Sequence, residues 1–341
     1  MKASTPPGAT SEYGAEHDRP GAGRVVVLGS VNMDLVVPAP HVPGPGETVI
    51  AGPARYLPGG KGANQAVTAA RLGAEVGFIG RTGDDDFGRT LRRALQDAGV
   101  RVEHLQALPA TTSGIAFVAV DPRGENTVVV SPGANALLTP EDLDSHRELI
   151  GWSTVAIAQL ETPLETVLRF ASLCADHGVS LVLNAAPYRR LPQDLLRDCA
   201  YLVVNRAEAT ALTGIPTADR EGARRALAAA AELGPRAVVI TLGTEGCLAW
   251  HGDEWYECDA YRVPVADTTG AGDAFVGALA VALARDLPLA RALPVAAAAG
   301  ALACRGYGAQ QPDLSWPALE DLMRGQPSRA RLRRMPVPRR K

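Results

Sequence analysis

Short apolar runs recur along the chain at Val25–Leu28, Val76–Ile79, Thr154–Ala158, Leu181–Leu183, Tyr201–Val204 and Ala237–Thr241. Each is continuous rather than alternating, the pattern of a parallel strand covered on both faces. Longer segments with helical spacing lie between them. Thr139-Pro140-Glu141-Asp142 and Thr162-Pro163-Leu164-Glu165 each offer a capping threonine, a proline for the first helical position and an acid behind it. Gly73 and Gly99 follow helical stretches, where a left-handed residue is needed. This alternation predicts an α/β fold on a doubly wound, mostly parallel sheet.

Two segments break the rhythm. Residues 35–58 hold short β runs among many prolines and glycines. Residues 112–131 read as a hairpin, Ile115–Val120 and Thr127–Val130 around a turn at Asp121-Pro122-Arg123-Gly124. Neither carries a helix to cover it, so together they predict a small β-sheet outside the main one, a lid over a cleft. A sheet of few strands needs another surface to pack on, supplied by the cleft or by a second subunit. No internal repeat is present.

The ends differ from the middle. Residues 1–23 are rich in Gly, Pro, Ser and acids without the apolar core of a signal peptide, and are expected to form a disordered tail. Residues 326–341 are basic and proline-containing, a second expected tail. That leaves one α/β domain with its lid at 24–325.

Composition narrows the classes of function. The 341 residues are 46% hydrophobic, enough for a sizeable core. A formal net charge of −3 gives no reason to expect nucleic acid or an anionic membrane as partner. Aromatics at 5% leave little for stacking single strands. Cys174, Cys199, Cys247, Cys258 and Cys304 form no C-x-x-C pair, so neither a disulfide framework nor a zinc site is expected, and a reducing cytoplasm fits. The longest nearly apolar stretch, Leu293 to Cys304, is too short to span a bilayer and reads as a buried helix.

Three stretches carry chemistry. In Asp267-Thr268-Thr269-Gly270-Ala271-Gly272-Asp273, small residues lead into an apolar helical segment, Ala274–Leu283. Backbone N–H groups at such a helix start stabilise an anion. A carboxylate there is better used as a base beside the reacting anion, and phosphoryl transfer needs both. The alternative is a glycine-rich turn with Asp273 as an ordinary first-turn acid. Gly59-Gly60-Lys61-Gly62-Ala63-Asn64-Gln65-Ala66 is a second glycine-rich helix start, in which Lys61 and Asn64 can donate to hydroxyl groups. It lacks P-loop spacing. In Gly29-Ser30-Val31-Asn32-Met33-Asp34, Asn32 and Asp34 share a face just after the first strand, where α/β proteins bind ligands. An NAD-binding reading fails because no G-x-G-x-x-G follows Val25–Leu28.

Taken together, these stretches resemble the ribokinase family of PfkB-type sugar kinases over almost the whole of residues 24–322. Gly59 to Gly83 fits the family's N-terminal signature, with Asn64, Ala66, Gly73 and Gly83 in place. Asp267 to Ala280 fits its C-terminal signature. Gly29 to Asp34, Pro45–Thr48 and Gly59 to Ala66 look most like the ribose-phosphorylating branch.

The resemblance implies transfer of the ATP γ-phosphoryl group to the 5-hydroxyl of D-ribose. Asp273 would be the base and Gly270, Ala271 and Gly272 the anion hole. Asn32, Asp34, Gly60, Lys61, Asn64 and Glu161 would hold the sugar. Asn205 and Glu208, in an N-x-x-E motif, would organise Mg²⁺ and phosphate. Thr241, Gly243, Thr244, Gly246 and Ala297 would face the nucleotide. Asp267 and Thr269, with carbonyls near Ala303, Gly306 and Gly308, would enclose K⁺. The family's lids pair in a homodimer, which is expected here too. Three positions depart from the family pattern: Asn184-Ala185-Ala186-Pro187 stands where N-P-A-P is common, Ala297 where a polar residue often sits, and Pro312 near where a serine can assist the cation. The rival readings are a kinase for another pentose, a ketohexose or a nucleoside, and a sugar sensor without catalysis. Only Tyr56 and Phe117 in the lid could stack a base, which weighs against a nucleoside. The intact Gly270 to Asp273 weighs against a silent sensor.

Overall fold

A computed structural model describes residues 21–122, 126–326 and 333–334. Most of both expected tails, and residues 123–125 of the expected hairpin turn, lie outside the described residues. The strands are β1 Arg24–Leu28, β2 Asn32–Pro38, β3 Arg55–Gly59, β4 Glu75–Gly83, β5 Val100–Arg101, β6 Leu105–Leu108, β7 Gly114–Val120, β8 Asn126–Ser131, β9 Val155–Ala158, β10 Ser180–Asn184, β11 Tyr201–Asn205, β12 Ala237–Thr241, β13 Cys247–His251, β14 Glu254–Cys258 and β15 Arg333–Arg334. The helices are α1 Lys61–Arg71, α2 Asp86–Asp97, α3 Arg147–Trp152, α4 Leu164–Asp176, α5 Gln193–Asp198, α6 Arg206–Thr213, α7 Arg220–Ala231, α8 Ala271–Ala284, α9 Leu289–Ala303 and α10 Trp316–Gly325.

The main sheet runs β15-β14-β13-β12-β11-β10-β9-β1-β4-β5, with β6 also on β4. From β12 across to β5 it is parallel. β13, β14 and β15 add an antiparallel edge. Side chains of β1 show why its run is continuous. Val25 and Val27 enter one core, against α1, α8 and α9, while Val26 and Leu28 enter the other, against α4 and α7. Every position therefore loses water, and every position is apolar.

A separate four-stranded sheet has the order β3-β2-β7-β8. β2 and β7 are parallel, flanked by antiparallel β3 and β8. Among the described residues neither of the segments 35–58 and 112–131 contains a helix, and α2 reaches the sheet at β3, where the ring of Phe87 lies 6.1 Å from that of the exposed Tyr56.

The expected helix starts are also revised. Thr139 does not open an α-helix. Its N–H and hydroxyl both donate to Asp142, and a 3₁₀ turn over Glu141–His146 follows. At the second, Pro163 takes the N-cap place and α4 begins at Leu164. The Thr162 hydroxyl is buried and caps nothing. Gly73 and Gly99, both at φ 86°, close α1 and α2 as expected.

Candidate active site

The loops leaving β1 and β9 bring Ser30 and Glu161, and the last residues of β10, β11 and β12 bring Asn184, Asn205 and Thr241, to one edge of the sheet, the carboxyl ends of its parallel strands. That edge is where open α/β sheets leave a crevice. α1 and α8 both point their N-termini into it.

Gly270 caps α8 at φ 77°, and a Cβ there would lie 2.6 Å from the Ala309 backbone, so only glycine fits. Asp273 follows in the first turn of α8 and is 8% exposed. Both of its oxygens are held by amides. Asn64 Nδ2 donates to Oδ2 at 2.9 Å and Gln65 Nε2 to Oδ1 at 2.9 Å. Each amide is held in turn: Gln310 Nε2 donates to Asn64 Oδ1 at 3.1 Å, and Gln159 Nε2 to Gln65 Oε1 at 2.6 Å. Gln65 also donates to Asn184 Oδ1 at 3.1 Å. Gln65, Gln159 and Gln310 received no role from sequence reasoning. They sit far apart in the chain, and a buried glutamine has no local signature.

Asn32 and Asp34 lie on β2 and Lys61 opens α1. Asn32 is buried, and its Oδ1 accepts from Asn135 Nδ2 at 2.8 Å. Asn135, which also bonds both Val31 backbone groups, is another partner that no local pattern marks. The Asp34 carboxylate rests on Gly59, where a Cβ would come within 2.1 Å of it. Gly60, at φ 91°, lies against Val31 and the Asn32 N–H. Glu161 Oε2 accepts from the Ser30 hydroxyl at 2.5 Å and the Lys61 N–H at 3.2 Å.

The charges here are coupled. Burial first, then Glu161 and Asp273, push the Asp34 carboxyl up to about 7, while Lys61 pulls it the other way. Burial opposes the Lys61 charge, but Asp273, Glu161, Glu208 and Asp34 together hold its ammonium above the usual value. Burial also raises Glu208, against the opposing pull of the Asn205 N–H and Lys61. Asn205 and Glu208 form a reciprocal capping box at the start of α6, with bonds of 2.9 and 2.7 Å.

Two cavities occupy the crevice. One of about 130 Å³ is lined by Lys61, Asn184, Asn205, Glu208, Gly270 and Asp273, among others. The second, of about 680 Å³, is lined by Gly243, Thr244, Gly246, Tyr261, Phe275 and Ala297, among others. Thr241 and Gly272 line both, so the cavities meet beside Asp273.

Asp267 and Thr269 stand just outside, in the loop before α8. Asp267 Oδ1 accepts from the Thr269 N–H and hydroxyl at 2.9 and 2.7 Å, and Oδ2 from the Gly308 N–H at 2.9 Å. Burial would raise its carboxyl, but these donors together hold it below the usual range. The Gly308 carbonyl accepts from Gln311 Nε2 at 2.5 Å. Ala303 is buried at the end of α9, and Gly306 packs against the Gln311 side chain. Among the described residues no three His, Cys, Asp or Glu side chains form a cluster that could hold a metal ion. No helix among them is long and apolar enough to cross a membrane.

The family model described as pfkB family carbohydrate kinase matches residues 22–316. The ribokinase of Haemophilus influenzae is 36% identical over 286 residues, 84% of this chain and 94% of that protein. The deoxyribokinase of Salmonella typhi is 33% identical over 297 residues, 87% of this chain and 96% of that protein. The structure of Arabidopsis thaliana ribokinase complexed with ribose and ATP superposes with a TM-score of 0.82 at 32% identity, covering 89% of this chain and 99% of that one.

Proposed function

The chain belongs to the pfkB family of carbohydrate kinases and is an ATP-dependent sugar kinase; on that premise we propose that its acceptor is D-ribose, phosphorylated at the 5-hydroxyl to give ribose 5-phosphate and ADP. The observation that carries this reading is the meeting of the two cavities at Thr241 and Gly272, with the Asp273 carboxylate on the smaller side.

Asp273 accepts the proton of the attacking hydroxyl, and the amides on its two oxygens keep a lone pair aimed at the acceptor. The start of α8, from Gly270 to Gly272, faces the charge that develops on the moving phosphoryl group. Asn32, Asp34, Gly60, Lys61, Asn64 and Glu161 bind the sugar hydroxyls. Gly243, Thr244, Gly246 and Ala297 face the nucleotide, in a cavity whose volume suits ATP.

Glu208 lines the smaller cavity and has one carboxylate oxygen committed to the Asn205 N–H. Its other oxygen suits, directly or through water, a Mg²⁺ carried on the ATP phosphates, an ion that would neutralise phosphoryl charge. Asp267, Thr269 and the carbonyls near Ala303, Gly306 and Gly308 offer only oxygen donors, the chemistry of a K⁺ site. The Gly308 carbonyl keeps a second lone pair beyond its bond from Gln311. Such an ion would fix the loop that leads into α8.

The smaller sheet acts as the lid. It exposes Tyr56, Phe117 and Val129 on one face and Val128 and Val130 on the other, and a second copy of the chain covers exposed apolar surface of the sheet in a homodimer. All five cysteines are free thiols, which supports a cytoplasmic setting.

The similarity to a deoxyribokinase favours a second acceptor, 2-deoxy-D-ribose. Rates of ADP release over D-ribose, 2-deoxy-D-ribose, D-fructose and adenosine decide between them. D-ribose is expected to give the highest kcat/KM. A higher value for any other acceptor replaces ribose as the substrate.

A further inference from the structure

Asparagine and glutamine side chains present a donor at one corner and an acceptor at the other, and a half-turn exchanges them. Asn64 must show its NH₂ to Asp273, because an ionised carboxylate only accepts. Its oxygen then points away and needs a donor of its own. That donor is Gln310 Nε2, 3.1 Å from Asn64 Oδ1. With the Gln310 donor gone, the half-turn that sets Asn64 Oδ1 against Asp273 Oδ2 loses its main penalty on the far side.

The loop bearing Gln310 is built to stay in place. Gly308 N–H donates to Asp267, Gln311 donates back to the Gly308 carbonyl, and Arg71 of α1 reaches the Gln311 carbonyl at 2.6 Å. Asn64 and Arg71 both belong to α1, so the loop and the amide it orients share one support. The other oxygen of Asp273 is treated in the same way by Gln65 and Gln159, but those two are fully buried. Gln310 is only half-buried and lies outside both apolar cores, so its donor can be removed without opening a core cavity.

We infer that Gln310 is a positioning residue for phosphoryl transfer, holding the Asn64 amide in the orientation that presents a donor to Asp273. The inference rests on Asp273 being the base that takes the sugar proton. Gln310 lines neither of the two cavities and reaches the site through Asn64, so its loss is read in kcat, with any change in the sugar KM passing through Asn64 and the ATP KM unaffected.

Two substitutions of near-equal size separate orientation from packing. Gln310→Met keeps the length and removes the donor. Gln310→Glu puts an acceptor where the donor was and draws the Asn64 NH₂ away from Asp273. The expected result is a kcat about tenfold lower for Gln310→Met and lower again for Gln310→Glu, with the KM for ATP within about twofold of the unsubstituted enzyme. Turnover of Gln310→Met within about twofold of the parent overturns the inference, as does a Gln310→Glu enzyme as active as Gln310→Met. A rise in KM at unchanged kcat overturns it too, by marking Gln310 as a substrate contact. Asp273→Asn is measured alongside. If that enzyme still turns over, the base assignment fails. If it is inactive while Gln310→Met is normal, only the positioning role fails.

Discussion

The carbonyl oxygen of Gln65 lies 2.7 Å from the point where any side chain at Gly277 would place its Cβ, so α1 and α8 meet there backbone to backbone. Asp273 stands one turn before Gly277 on the same face of α8. The close approach is what brings the Asn64 and Gln65 amides of α1 onto the Asp273 carboxylate. Gly277→Ala must push the helices apart, since Thr68 crowds the same point at 2.8 Å. We expect a stability loss of about 1–3 kcal/mol in urea denaturation, with a lower kcat because the amides retreat from the base. Unchanged stability and turnover would show that the helix contact does not set the site.

Asp273→Asn removes the proton acceptor and keeps the shape. A fall in kcat of at least about 10²-fold is expected, with little change in sugar affinity measured by calorimetry. Turnover close to that of the unsubstituted enzyme would remove Asp273 from the mechanism.

Asp34 links sugar binding to pH. With its carboxyl pushed up to about 7 by burial, Glu161 and Asp273 against the pull of Lys61, it is about half protonated in the free enzyme near neutrality. Its contribution to stability is fully present below the unfolded value of 3.8 and is lost as pH rises through about 7. A sugar hydroxyl that donates to Asp34 favours the ionised form, so binding near pH 7 should release a fraction of a proton and tighten as pH rises through that range. Calorimetry in two buffers of different ionisation enthalpy measures the release. A binding enthalpy independent of buffer, with affinity flat from pH 6 to 8, would place Asp34 outside the sugar site.

The loop of Asp267 and Thr269 leads directly into α8, so a bound monovalent cation should order the helix start. Activity is expected to be highest in K⁺ buffer, lower in Na⁺ and lowest in Tris. Equal rates in all three reject the cation site, and Pro312 in the nearby loop is the first residue to examine in that case.

The exposed valines of β8 pair with β7, Val128 directly opposite Val118. A charge at this position sets an unpaired carboxylate into the surface that a second copy is proposed to cover. Val118→Asp should loosen the dimer and raise KM for the sugar, whereas the parent enzyme at micromolar concentration should scatter light as a dimer. A fully active monomer would mean that the smaller sheet works alone.

The parallel strands were legible because each of their residues loses water, which forces unbroken apolar runs such as Val25–Leu28. The glycine-rich starts of α1 and α8 were legible for a related reason. Left-handed backbone at Gly60 and Gly270 admits little else, so the constraint is written locally. The antiparallel edge of β13 and β14 was not read, and neither was the parallel pairing of β2 with β7 across the smaller sheet. Pairing depends on which strands meet, and Thr162 shows the same limit in miniature, a good capping residue that the turn before α4 leaves without a partner. The amides around Asp273 belong wholly to the tertiary structure. Asn64, Gln65, Gln159 and Gln310 come from three distant parts of the chain, and although Asn64 stood out as a donor, their shared target appears only when α1, α8 and the loops after β9 and α9 pack together. The sequence by itself determined the elements and the residue types able to do the chemistry. Which donor faces which oxygen was decided only by packing, because a hydrogen bond depends on distance and direction that no local pattern encodes.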